Sequence, residues 1–204
     1  MPAKRNHIRV FVASTVYNFQ YQLDQIYQLL DNYGYDVFMS HKGTIALDSK
    51  KSNLENCTNG VQECDVFIGF IRPDYGSGVL TEGGLSITHQ EFQTAMSRDI
   101  PRFVLADSKV VFSRQLLRQT SIIEAGKTER LDLSKVSFKK DGVMDIRCIG
   151  LYDEAIQSET PLASRIGNWV QEYVDINDIK LHLDSQFKYP ERIKKLINDS
   201  KTKV

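Results

Sequence analysis

Glu91 stands in Ser86-Ile87-Thr88-His89-Gln90-Glu91-Phe92-Gln93-Thr94-Ala95, where a helical period sets it on one stripe between Ile87 and Ala95. A carboxylate so placed is aimed at the edge of a core. There it could stabilise an oxocarbenium-like sugar cation, or act as the nucleophile in breaking an N-glycosidic bond. A plainer account fits the same residues. Thr88-x-x-Glu91 matches a capping box, in which the carboxylate only reaches back to a backbone N–H at the helix start. Spacing alone leaves both accounts open.

Three polar segments accompany it: Ser14-Thr15-Val16-Tyr17-Asn18-Phe19, Ser40-His41-Lys42-Gly43-Thr44 and Arg72-Pro73-Asp74-Tyr75-Gly76-Ser77-Gly78. They offer hydroxyls, cations, aromatic faces and glycines. Each has a structural use as well: Ser14 and Thr15 as helix caps, Tyr75-Gly76 as a turn, Arg72 as a surface partner of Asp74. Other chemistries lack their motifs. Neither GxGxxG nor GxxxxGK[ST] occurs, which disfavours the usual dinucleotide and P-loop sites. His7, His41, His89 and His182 show no metal-ligand spacing, so no metal is expected. There is no GxSxG elbow, and Cys57 and Cys64 fall on a stripe that reads as core.

The elements that must position these loops alternate regularly. Ile8–Ser14, Tyr35–Ser40, Val66–Ile71 and Pro101–Ala106 read as strands, the first and third as buried apolar runs. Between them Leu23, Ile26, Tyr27 and Leu30, then Leu54, Cys57, Val61 and Cys64, recur at helical spacing, and a further helix is expected over Ser86–Ser97. This is a doubly wound, flavodoxin- or Rossmann-like α/β pattern, with a mainly parallel five-stranded sheet. In such sheets ligands bind beyond the C-terminal ends of the strands, so the three loops should share one crevice. From Asp107 to Ser134 the apolar residues, Val110 to Ile123, suggest a helix with irregular flanks, and Asp141-Gly142 marks a turn. Met144–Leu151 is expected as the fifth strand, and Leu162, Ile166, Trp169, Val170 and Tyr173 as an amphipathic helix. Pro190 opens a basic terminal helix. The expected organisation is an α/β domain over 7–157, with a C-terminal helical extension over 158–204 packed on it.

Lys plus Arg (26) balance Asp plus Glu (26), which argues against the broad positive field of a nucleic-acid or membrane binder. No apolar run reaches the roughly 20 residues of a membrane span, and the first residues lack the apolar segment of a secretory signal. Cys57, Cys64 and Cys148 form no CxxC and fit reduced thiols. A cytoplasmic setting is expected.

Three segments carry a resemblance: Arg9-Val10-Phe11-Val12-Ala13-Ser14-Thr15, then Cys64-Asp65-Val66-Phe67-Ile68-Gly69-Phe70-Ile71-Arg72-Pro73-Asp74-Tyr75-Gly76, then Ser86-Ile87-Thr88-His89-Gln90-Glu91-Phe92. Over about residues 7 to 107 the chain resembles a TIR-like uncharacterised bacterial domain, the type found ahead of large signalling NTPases. The wider TIR and nucleoside deoxyribosyltransferase groups use a glutamate on the helix after the third strand to cleave nicotinamide or a nucleobase from ribose, and Glu91 occupies the matching place. The TIR tryptophan-cysteine pair before that glutamate is replaced here by Thr88-His89-Gln90.

The resemblance implies a binding set of Ser14 and Thr15 for phosphate or ribose, Phe19 or Tyr75 as stacking faces and Arg72 as a phosphate partner, with Gly76 and Ser86 beside them. It implies an N-glycosidase that takes NAD or a related nucleotide as substrate, as a hydrolase or cyclase in bacterial signalling or antiphage defence, without a bound cofactor. Self-association or a partner effector protein would belong to such a role. Two alternatives accompany it: a non-catalytic module that binds a nucleotide signal or assembles with an effector, and a nucleoside deoxyribosyltransferase-like enzyme.

Overall fold

A computed structural model describes residues 7–78, 84–124, 127–132, 135–136 and 143–201. The first half follows the expected alternation: β1 (Arg9–Ala13), α1 (Gln20–Asn32), β2 (Asp36–Phe38), α2 (Asn53–Glu63), β3 (Val66–Ile71), α3 (Ile87–Met96) and β4 (Arg102–Asp107). Then come α4 (Ser108–Gln119), a β5 (Ser121–Glu124) and β6 (Lys127–Arg130) pair, α5 (Arg147–Ala155), β7 (Val170–Tyr173), α6 (Ile176–Phe187) and α7 (Pro190–Lys201).

Five strands form one sheet in the order β2-β1-β3-β4-β7, every neighbour pair parallel. Side chains alternate across it, as the period of two requires. Val10, Val12, Ile68, Phe70 and Leu105 face one way, into a core closed by Leu23, Ile26 and Leu30 of α1, Ile179, Leu183 and Phe187 of α6, and Ile193 of α7. Phe11, Ala13, Phe67, Ile71 and Ala106 face the other, against Val61 of α2, Phe92 and Ala95 of α3, Val110 and Val111 of α4, and Cys148 and Leu151 of α5. This is the flavodoxin/Rossmann-like α/β class. Gly69 lets α3 approach β3 closely, since a Cβ there would lie 2.3 Å from Phe92 Cζ.

The sequence-based expectations need correction after residue 107. Met144–Leu151 is not the fifth strand: Cys148, Ile149, Leu151 and Ala155 recur at helical spacing, and the segment folds as α5. The fifth strand is Val170–Tyr173, which pairs with β4 from Val104↔Val170 to Asp107↔Tyr173. The helical stripe read over 162–173 is broken by Gly167 at φ +66, and Leu162, Ile166 and Trp169 are exposed rather than packed. The parallel sheet therefore runs across the boundary expected at 157/158. Helix α4 stops at Gln119, and Ile122 and Ile123 belong to the antiparallel β5–β6 pair. Asp141-Gly142 lies outside the described residues. Among the described residues no helix is long and apolar enough to cross a membrane.

Candidate functional site

The strand order reverses between β1 and β3, and the loops leaving their C-terminal ends separate there, as they do at the switch point of any doubly wound sheet. A cleft of about 1530 Å³ opens at this place and extends across β4 to the end of β7. Its walls include Ser14 to Phe19 and Arg72 to Ser77, and Ser40 and Gly43 from the loop after β2, so the three polar loops do meet.

Glu91 reaches the cleft from α3 and is only 3% exposed. The capping-box account of it fails, because the N-cap of α3 is Ser86, whose Oγ accepts the His89 N–H at 3.2 Å. Glu91 therefore lies beyond the first turn. Burial pushes its carboxyl up from an ordinary 4.5 to about 8, opposed by a hydrogen bond from the Cys57 thiol on α2. The same burial, with the carboxyl beside it, lifts Cys57 to about 12. Cys57 is thus an unreactive thiol, as its place on an apolar stripe suggested, and it lies beside the Glu91 carboxyl.

The loop groups are arranged by Arg72, which is 8% exposed. Its Nη1 donates to Thr15 O at 3.2 Å, Thr15 Oγ1 at 3.2 Å and Tyr17 O at 2.8 Å, and Nη2 lies 3.4 Å from Asp74 Oδ2. Its guanidinium carbon sits 4.3 Å from the centroid of the Phe19 ring. The expected Arg72–Asp74 pair exists, but as part of a buried strap across the β1–α1 loop. Phe19 consequently carries Arg72 on its face and is itself buried. Neither Ser14 nor Thr15 caps α1: Ser14 Oγ donates to Thr15 O at 2.9 Å, and the N-cap of α1 is Phe19, without a side-chain acceptor. Gly76, at φ +91, is required by its own backbone and by Thr15, whose Cγ2 would lie 2.6 Å from a Cβ. Ser86 is fully buried and spent on its cap rather than lining the cleft.

Tyr75 brings in residues the sequence did not single out. Its hydroxyl lies 2.6 Å from His89 Nδ1, and His89 Nε2 lies 3.1 Å from Glu154 Oε1 on α5. The His89 contact, with Gln93 assisting, holds the Glu154 carboxyl below its ordinary range against the effect of burial. An ionised Glu154 accepts from His89 Nε2–H, and Nδ1 faces the Tyr75 hydroxyl. The guanidinium of Arg147 covers Tyr75 at 4.1 Å from the ring centroid and is clamped by Asp145, with Nη2 to Oδ2 at 2.7 Å.

Arg147 and Asp145 line the cleft but were hidden by reading their segment as a strand. Asp107 and Asp175, which also line it, cap α4 and α6, a role that an aspartate before an apolar-periodic run could have signalled. Tyr17, 68% exposed, is the open aromatic face at the rim. Among the described residues no group of three His, Cys, Asp or Glu side chains is placed to hold a metal ion.

No curated protein matches the sequence. The family model described as a domain of unknown function, DUF4062, matches residues 9–188, a span that begins at the first residue of β1 and ends just past α6. That span takes in all five strands and every group lining the cleft, and the chain belongs to the DUF4062 family.

Proposed function

We propose that the chain is an N-glycosidase in which Glu91 acts on the bond between the anomeric carbon of a ribosyl group and the nitrogen of a base. The observation that carries this reading is a single carboxyl, buried at the wall of a cleft at the β1/β3 switch point, whose proton affinity is tuned to near neutrality. As the C–N bond breaks, the base leaves with the electron pair, neutral when it comes from a nicotinamide cation and taking up a proton from solvent when it comes from a neutral nucleoside, and the sugar becomes an oxocarbenium-like cation. The ionised Glu91 stabilises that cation or bonds to the anomeric carbon as an ester. Water then attacks the same carbon, the carboxylate is released, and the water's second proton passes to solvent. Burial that disfavours an isolated anion also strengthens its attraction for a cation formed beside it.

The resemblance to TIR-like domains supports NAD as the substrate, and the more distant resemblance to deoxyribosyltransferases supports a nucleoside. Both contain the required bond. The test is base release, followed by chromatography at high protein concentration, from NAD and from nucleosides with wild type and Glu91→Gln. Glutamine keeps the volume and loses the charge, so turnover should fall at least about a hundredfold while the protein stays folded. Equal release by both proteins would refute the role of Glu91. No release by either would favour a binding module.

A further inference from the structure

Phosphate groups in parallel α/β proteins are held by free N–H groups at helix starts and by guanidinium or ammonium groups. At this cleft many such donors are already engaged by groups of the chain itself, carboxylates prominent among them. Three helices begin on its rim, each with an aspartate on its first amides. Asp107 Oδ1 accepts from Lys109 N at 2.8 Å at the start of α4, and Asp145 Oδ1 from Arg147 N at 2.9 Å at the start of α5. Asp175 Oδ1 accepts from Asn177 N at 2.7 Å and Asp178 N at 3.3 Å at the start of α6. All three aspartates line the cleft.

The cations are largely committed as well. Arg72 spends Nη1 on oxygens of Thr15 and Tyr17 and faces Asp74 with Nη2, its buried Nε alone lacking a partner among the described residues, while Arg147 gives Nε and Nη2 to Asp145. Lys109 is the one other Lys or Arg among the described lining residues. Of the helix starts at the cleft, those of α1 and α5 have no N-cap side chain, but at α5 Asp145, one residue earlier, takes the Arg147 N–H, so that of α1 alone is left without an acidic or hydroxyl acceptor. A second phosphate would meet Asp74, Asp107, Asp145 and Asp175, the groups suited instead to accepting hydrogen bonds from ribose hydroxyls or base amino groups.

We infer that the cleft takes a nucleoside carrying at most one phosphate and turns away the pyrophosphate of a dinucleotide. The inference rests on the N-glycosidase reading and decides between its two substrates, against NAD.

The test is calorimetric titration of the Glu91→Gln protein, which separates binding from turnover, with three series: adenosine, AMP, ADP; cytidine, CMP, CDP; nicotinamide riboside, its 5′-monophosphate, NAD. In the series that binds, the pyrophosphate member should be at least about tenfold weaker than the better of the other two. Asp107→Asn combined with Asp175→Asn keeps both capping oxygens, removes two charges and should narrow that gap several-fold. A pyrophosphate member bound as tightly as its companions, a gap unmoved in the double variant, or no binding in any series would overturn the inference. Base release by the wild-type protein tests the glycosidase reading separately, so cleavage of NAD faster than of nicotinamide riboside would sink this inference and leave that reading standing.

Discussion

Replacing Glu91 by Gln should change how stability depends on pH, by an amount that follows from burial. In the folded chain the carboxyl titrates at about 8, against an ordinary 4.5 when unfolded. Below pH 4.5 both states hold the proton and the group contributes nothing to pH dependence. Between those two values the unfolded state ionises while the native state stays protonated, so stability falls as pH rises. Above about 8 the native carboxyl ionises too, and the loss is complete. At about 1.4 kcal/mol for each pH unit between the two values, the loss reaches roughly 3 kcal/mol by pH 7 and roughly 5 kcal/mol at its limit. The assay is urea unfolding, followed by circular dichroism, of both proteins at intervals from about pH 4.5 to 8.5. Other titrating groups cancel in the difference, so the advantage of the Gln protein should grow by those amounts across the range. A difference constant to within about 1 kcal/mol would show that Glu91 ionises as an ordinary carboxyl, and the desolvation argument would be wrong.

Four further outcomes are expected. If the ionised Glu91 is the catalytic form, kcat/KM for base release should climb with pH and level off above about 8; a profile flat from about pH 6 to 9 would contradict it. His89→Leu should cost about 1–3 kcal/mol in urea unfolding, because it strips the buried Tyr75 hydroxyl of its 2.6 Å partner, whereas Glu154→Gln, on a side chain 41% exposed, should cost under about 1. Gly69→Ala should cost about 1–3 kcal/mol, since its Cβ would meet Phe92 Cζ at 2.3 Å. Truncation after Gln157 should abolish cooperative unfolding: it removes β7 and the buried Tyr173, Ile179, Leu183 and Phe187, each worth about 1.5–3 kcal/mol, and a folded, monomeric 1–157 fragment would refute this.

The first half of the fold was legible because β1 and β3 are buried on both faces and read as continuous apolar runs, and because the helices between them keep a clean stripe. The second half was not. The fifth strand, Val170-Gln171-Glu172-Tyr173, is a short edge strand whose residues also continue a helical spacing from Leu162 and Ile166. Only Gly167 argued against that helix. Placing a strand at 144–151 instead concealed Arg147 and Asp145, which enter the cleft because α5 begins there. Glu91 could be singled out as a stripe residue, but its release from a capping role depended on Ser86 taking the cap, a choice among neighbouring hydroxyl residues that spacing cannot make. The engagement of Arg72 with three oxygen acceptors of the β1–α1 loop was likewise invisible, since it joins residues more than fifty positions apart.

A small domain has only about 5–15 kcal/mol of net stability, so a buried carboxyl that forfeits several of them is not explained by folding. The amide of glutamine or an apolar side chain would fill the same place beside Cys57 without an ionisation cost. The aspartates around the cleft behave in the opposite way. Asp107 and Asp175 cap and stabilise the helices they begin, each by about 0.5–2 kcal/mol, Asp145 takes the first amide of α5, and the negative field they set up over the ligand space comes with those bonds. Site and scaffold thus differ in how they can be altered. Glu91 can be neutralised with a gain in stability and a loss of chemistry, whereas the aspartates can be neutralised without loss of stability only by a residue that keeps the capping oxygen, such as asparagine. A change of ligand preference in the asparagine variants, with unfolding midpoints close to that of the wild type, is the signature that separates a cleft shaped by its helix caps from one in which those caps serve the fold alone.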